Sequence, residues 1–221
     1  MLSQAEIAYA KINLALHVRG RIEGGYHALE TVFAFADDGD RLSAREAERL
    51  SLEVTGPFGA VLAGEGDDNL VLRAARAVAD AFAPRRSAAL SLDKRLPVAS
   101  GIGGGSADAA AAIRLLNRLW GLNRPLSDFE ALAAKLGADV PACLYSCSAL
   151  GTGKGDELRF VSLDGLEGRH FLLANPGKAV STAEIFRRWR GQDGGALQMP
   201  DLATLRVAAR NDLEEAAISL V

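Results

Sequence analysis

Apolar and polar residues alternate along residues 7–18. Ala8, Ala10, Ile12, Leu14, Leu16 and Val18 share one face of an extended segment, and Tyr9, Lys11, Asn13 and His17 share the other. A second alternating run opens at Tyr26-His27, after Gly20, Gly24 and Gly25, and continues through Leu29, Thr31, Phe33 and Phe35. The pair predicts a β-hairpin, closed by the turn-forming Asp37-Asp38-Gly39-Asp40. Further strands are predicted at Asp40–Ala44, Arg49–Val54, Ala88–Leu92, Glu157–Leu163 and His170–Ala174. Helical spacing takes over at Leu70–Phe82, between Asp67-Asp68-Asn69 and Pro84. It is clearest from Asp108 to Trp120, where Ala109, Ala112, Leu116 and Leu119 form a stripe and Gly121 is a stop. Ser127-x-x-Glu130 reads as a capping box for a helix ending at Gly137. Pro141 disfavours helix at Val140 and places Asp139 in a turn or at the mouth of a short helix, Pro141–Tyr145. Asn175-Pro176-Gly177 predicts a turn, and Ser181-x-x-Glu184 caps a helix through Ile185, Phe186 and Trp189. After a polar loop from Gly191 to Pro200, Leu202–Ala217 is helical by composition, interrupted near Asn211-Asp212. Strands in early hairpins and helices in blocks make an α+β chain.

Composition narrows the functions open to it. The 221 residues are 49% apolar, enough for a substantial core. Twenty-eight acidic against 25 basic residues give a net charge of -3, which argues against nucleic-acid binding by bulk electrostatics. No apolar run reaches the length of a membrane span. Met1–Glu6 has neither a basic nor an apolar leader segment, so a cytoplasmic location is expected. Cys143 and Cys147 read as small hydrophobes in a reducing compartment, and without a histidine cluster they make no zinc site.

The densest chemical signal is Leu96-Pro97-Val98-Ala99-Ser100-Gly101-Ile102-Gly103-Gly104-Gly105-Ser106-Ala107-Asp108. Glycines uncover backbone N–H groups, and the helix start that follows adds unpaired donors and a positive dipole end. Such a stretch suits a phosphate. It is not a Walker loop, because Gly153-Lys154 is followed by Gly155 and Gly177-Lys178 by Ala179, where that motif needs Ser or Thr. It misses the dinucleotide fingerprint as well, since Ser106 replaces the third glycine. A different phosphate loop remains, beside the plainer reading of a tight turn before an alanine-rich helix. Phosphoryl transfer to an alcohol also needs a positioned hydroxyl, a proton acceptor and a cation. Asp139 and Lys11 could supply the last two, although spacing alone singles out neither.

Ala10-Lys11-Ile12-Asn13-Leu14, Gly25-Tyr26-His27, the Leu96–Ala110 stretch, Gly137-Ala138-Asp139-Val140-Pro141 and Asn211-Asp212-Leu213-Glu214 follow one another in the order found in the GHMP superfamily of small-molecule kinases. The chain resembles that superfamily, and Lys-x-Asn with Gly-Tyr-His resembles its methylerythritol branch. The resemblance implies a two-domain α+β fold, with an N-terminal domain like that of a ribosomal small-subunit protein and a ferredoxin-like C-terminal domain. It places the first domain at 1–150 and the start of the second at 151–221. Family members continue past the Asn-Asp-Leu-Glu segment to a third glycine-rich motif that this sequence does not contain, so the second domain is expected to be incomplete.

The resemblance further implies ATP-dependent phosphorylation, with magnesium, of a hydroxyl on a cytidine-diphosphate-linked methylerythritol, in a route to isoprenoid precursors. It makes Lys11 and Asp139 catalytic, and it makes Pro97, Val98, Ala99, Ser100, Gly101, Ile102, Gly103, Gly104, Gly105, Ser106 and Ala107 the ATP loop. Asn13 lies near the reacting hydroxyl in this reading. Tyr26, His27 and Phe186 form a pocket for the cytosine ring, also lined by Phe33 and Thr182. Ala107 departs from the serine often found there. Two alternatives stay open: a non-catalytic nucleotide-binding fragment, and a sister kinase acting on another small alcohol.

Overall fold

A computed structural model describes residues 3–175, 177–178, 180–198 and 202–220. The expectations placed on Pro176, Pro200 and Val221 lie outside them. The strands are β1 (Gln4–Arg21), β2 (His27–Glu46), β3 (Ser51–Thr55), β4 (Ala88–Asp93), β5 (Ala149–Thr152) and β6 (Glu157–Phe160). The helices are α1 (Leu70–Phe82), α2 (Gly104–Leu119), α3 (Glu130–Leu136), α4 (Val140–Tyr145), α5 (Thr182–Arg188), α6 (Leu202–Ala208) and α7 (Glu214–Ile218). They form two compact units, and both β1 and β2 contribute residues to each.

The first unit comprises Met1–Lys11, Ala36–Val98 and Gly103–Ser146. In it β4 pairs in parallel with β3 and antiparallel with the second half of β2. Leu42 and Ala44 stand opposite Leu92 and Leu90, and all four are buried. The apolar face of α1 buries Val71, Leu72, Ala74, Ala75 and Val78. This helix packs on α2, which packs on α4. The alanine run of α2 is enclosed on every side: Ala109, Ala110, Ala111, Ala112, Ile113, Leu115 and Leu116 are all 0% exposed. Methyl side chains let neighbouring elements approach such a helix closely.

The structure corrects the reading of Asp37–Asp40 as a turn, because β2 runs through it to Glu46 without a break. Gly39 is there because of a close backbone contact, not a reversal of the chain. A Cβ at this position would stand 2.1 Å from the Ala8 carbonyl oxygen on β1. Pro141 also behaves differently from expectation. Helix α4 starts at Val140 and holds the proline in its first turn, where a missing N–H breaks no helical bond. At Ser127-x-x-Glu130 no side-chain cap forms; a 3-10 turn at Leu126–Phe129 leads into α3 instead.

The second unit comprises Ile12–Phe35, Ala99–Ile102 and Cys147–Val221. The β1–β2 connection turns at Glu23–Gly25, where Gly24 and Gly25 have φ of 76° and 78°. Strand β5 pairs antiparallel with β2, Thr31 facing Gly151, and also with β6. The Asn211-Asp212 segment binds β1 through Leu16 N to Arg210 O and Asp212 N to Leu16 O, both 2.9 Å. The Asp212 carboxylate also accepts from Val18 N at 2.8 Å. That is why the helical composition of 202–217 divides into α6 and α7. Ser181 caps α5 as predicted. The expected strand at His170–Ala174 is absent. Its backbone has no ladder partner among the described residues, and Leu172 is 95% exposed.

Candidate active site

Helix α4 opens at Asp139. The side chain of Asp139 makes no capping bond to its own helix. Its carboxylate instead meets the Lys11 ammonium of β1, 3.5 Å away. Lys11 is almost wholly buried, whereas the Asp139 side chain is 43% exposed, so the pair presents its acidic member to solvent. Arg114 of α2 fixes both elements. Its guanidinium donates to the carbonyls of Cys143 (2.6 Å) and Leu144 (3.2 Å) in the last turn of α4. It also donates to Ile7 O of β1 (3.0 Å) and pairs with Glu6 (2.9 Å). The cation at the C-terminal end of α4 matches the helix dipole.

The glycine loop reaches the same pair. Gly103 has φ of 65°, the left-handed region, and a Cβ there would stand 3.0 Å from Lys11 Cε. Its backbone therefore lies against the stem of Lys11, an approach that a Cβ would crowd. Helix α2 starts at the next residue, and no side chain caps it. Its first backbone bond runs from Ala107 N to Gly103 O. The N–H groups of Gly104, Gly105 and Ser106 precede that bond and have no intrahelical acceptor. Of the expected ATP loop, Pro97, Val98 and Gly103–Ala107 belong to this unit, and Ala99–Ile102 group with the other.

In the second unit Asn13 donates to Thr31 Oγ1 at 2.7 Å, and Thr31 donates in turn to Ala15 O. His27 is buried, stacked on Phe186 with centroids 5.0 Å apart and edge-on to Trp189 at 5.4 Å. Its Nε2 is buried with no hydrogen-bond partner among the described residues. Burial, aided by the charge of Arg21, lowers the His27 pKa, so the ring is neutral near pH 7. Tyr26 is half exposed, with the Lys154 ammonium 4.2 Å above its ring. Phe33 is in the core, against Gly151, where a Cβ would come within 2.6 Å of the ring. Thr182 is the exposed first residue of α5.

The structure thus brings Lys11, Asp139 and Gly103 together in one unit, and His27 with Phe186 in the other. Sequence reasoning ran the helix through Trp189, which caps its C-terminal end instead, and considered Lys154 only as part of a rejected Walker motif. Lys94 belongs to none of the motifs read from the sequence, yet it is buried in an ion cluster with Asp40 and Asp108. The i, i+3 spacing of Phe186 and Trp189 was the available signal for the tryptophan. Nothing local marked Lys94.

Residues 69–147 match the GHMP kinases N terminal domain family. The 4-diphosphocytidyl-2-C-methyl-D-erythritol kinase of Rhizorhabdus wittichii is 50% identical over 97% of this chain and 73% of its own length. This chain belongs to that kinase family. The kinase of the same name from Novosphingobium aromaticivorans is 47% identical over 100% of this chain and 74% of its own. A crystal structure of 4-(cytidine 5'-diphospho)-2C-methyl-D-erythritol kinase superposes with a TM-score of 0.75 at 33% identity, covering 98% of this chain and 78% of the other. The chain is therefore a phosphotransferase of the α+β GHMP kinase fold, and it spans about three quarters of the curated relatives' length. No described helix is long and apolar enough to cross a membrane.

Proposed function

We propose that the chain uses ATP to phosphorylate the 2-hydroxyl of 4-diphosphocytidyl-2-C-methyl-D-erythritol. The observation that carries this reading is the Lys11–Asp139 pair with Gly103 against the lysine stem. It puts a carboxylate and a cation beside a run of unpaired backbone donors. In this reading the N–H groups of the loop Pro97–Ala107 and the first turn of α2 hold the ATP phosphates. Asp139 orients the substrate hydroxyl and takes its proton. Lys11 holds the carboxylate in place and offsets the negative charge on the moving phosphoryl group. Asn13, anchored on Thr31, is assigned to the reacting hydroxyl. Tyr26 and Phe186 suit a flat base. Neutral His27 has one ring donor and one ring acceptor, and its unpartnered Nε2 supports assigning it to the edge of a base. Phe33 and Thr182 complete the proposed pocket.

Magnesium is part of the proposal through ATP. No described group of three or more His, Cys, Asp or Glu could cage a metal. Magnesium on a nucleotide needs only one or two protein ligands. Ser106, at the start of α2, is the side chain assigned to it, and the ion would supply charge neutralisation on the phosphates. We assign the ATP-loop domain to 1–150 and the substrate-side domain to 151–221, in the cytoplasm.

A panel of acceptor alcohols tests the reading. ATP consumption should depend on the cytidylylated methylerythritol. Equal turnover with mevalonate or homoserine would favour a sister kinase. ATP binding without turnover of any acceptor would favour a non-catalytic fragment.

A further inference from the structure

Three ionisable side chains are sealed under the glycine loop. The Lys94 ammonium at the end of β4 bonds to one oxygen of Asp40 on β2 and, at 2.7 Å, to Asp108 on α2. Their side chains are 2%, 0% and 3% exposed. The other Asp40 oxygen accepts from Arg95 N at 2.5 Å and Leu96 N at 2.8 Å, the two backbone donors just before Pro97. Asp108 lies in the second turn of α2, just beyond the loop. The ammonium also underlies Gly104, where a Cβ would come within 3.0 Å of Nζ and 3.9 Å of Asp40 Oδ2.

One cation thus joins the strand that leads into the loop to the helix that leads out of it. Burying ions costs several kcal/mol each, and an apolar cluster of similar volume is often at least as stable. Stability alone is therefore a weak reason for this arrangement. Control of the two stems of the loop is a stronger one. We infer that Lys94 is a positioning residue for ATP, holding the two stems of the loop in register without touching the reacting atoms. This rests on the reading of Pro97–Ala107 as the ATP loop.

The test measures the Michaelis constants for MgATP and for the cytidylylated substrate, with amide exchange across Arg95–Leu96. Lys94→Met should raise the ATP constant at least tenfold and leave the other constant within twofold. The Arg95 and Leu96 amides should exchange at least tenfold faster. Asp108→Asn keeps an acceptor for Lys94 and all three Asp40 contacts, so its ATP constant should stay within threefold of wild type. Lys94→Met leaves two carboxylates facing one another, so Lys94→Met/Asp108→Asn is measured beside it and should show the same selective tenfold rise. A folded variant lacking Lys94 whose ATP constant stays within twofold overturns the inference, as does a parallel rise in both constants. If the wild-type chain fails to bind MgATP, the loop reading falls and the inference with it. Normal wild-type binding with an indifferent Lys94 overturns the inference alone.

Discussion

Replacing Gly103 with alanine perturbs the candidate site through a single methyl group. The residue has φ of 65°, where a side chain costs about 1–2 kcal/mol. In a chain of this size that lowers Tm by roughly 2–8 °C. The new Cβ would also stand 3.0 Å from Lys11 Cε and 3.3 Å from Lys11 Cβ. Lys11 is enclosed on its strand, so it must yield by a few tenths of an ångström, and its Nζ moves relative to Asp139. Misplacing a reacting group by about 1 Å costs roughly 100-fold in rate, so a fraction of that shift should cost on the order of tenfold. Gly121→Ala is the control. Its φ is 63°, nothing lies within 4 Å of the added Cβ, and it is the stop of α2. Both variants should lose similar stability by thermal unfolding. Only Gly103→Ala should lose about tenfold in kcat at saturating MgATP and acceptor. A kcat for Gly103→Ala within twofold of Gly121→Ala would refute the coupling between loop and lysine.

Three further outcomes follow from the same geometry. Asp139→Asn keeps the shape but removes the proton acceptor, and should lower kcat at least about 100-fold by steady-state assay; near wild-type turnover removes Asp139 from the chemistry. Phe186→Ala loses the ring stacked on His27 and should raise the Michaelis constant for the cytidylylated substrate roughly 5- to 100-fold, as expected for a base-stacking aromatic; the ATP constant should stay within twofold. Burial raises the Asp108 pKa to about 7, with Lys94 opposing and the Asp40 charge adding to the rise. One ammonium serves two carboxylates, and Asp108 Oδ1 has no partner among the described residues. The folded state then holds a proton that the unfolded chain releases near pH 3.8, so stability falls as pH rises from about 4 to about 7. Asp108→Asn removes this term. The stability of the variant relative to wild type should therefore rise across that window. Parallel curves of Tm against pH would contradict it.

Local signals carried much of the fold. The α1 bounds Leu70–Phe82 match the pattern between Asn69 and Pro84, because a side-chain cap and a breaker act within a few residues. The division of 202–217 at Asn211-Asp212 was visible because both residues are poor helix formers, although what fixes it is the bonding of this segment to distant β1. Features that depend on distant neighbours were not legible. Gly39 looks like a turn residue in sequence and sits in mid-strand because β1 crosses it. His170–Ala174 has strand composition, but a strand needs a partner and none is described. The site divides in the same way. The glycine loop and the Lys-x-Asn, Gly-Tyr-His and Asp-Val-Pro motifs could be read from order and resemblance. Arg114 and the Lys94 cluster could not, since their partners lie at sequence separations of 14 to 108 residues. An ion buried by contacts so remote has the same local pattern as one in solvent.

Transfer of label from the γ-phosphate of ATP tests the central claim most directly. The account predicts labelled 4-diphosphocytidyl-2-C-methyl-D-erythritol, one phosphoryl group per ATP consumed and carried on the 2-hydroxyl oxygen by phosphorus NMR. Label recovered only in inorganic phosphate, or carried equally by mevalonate, would contradict it.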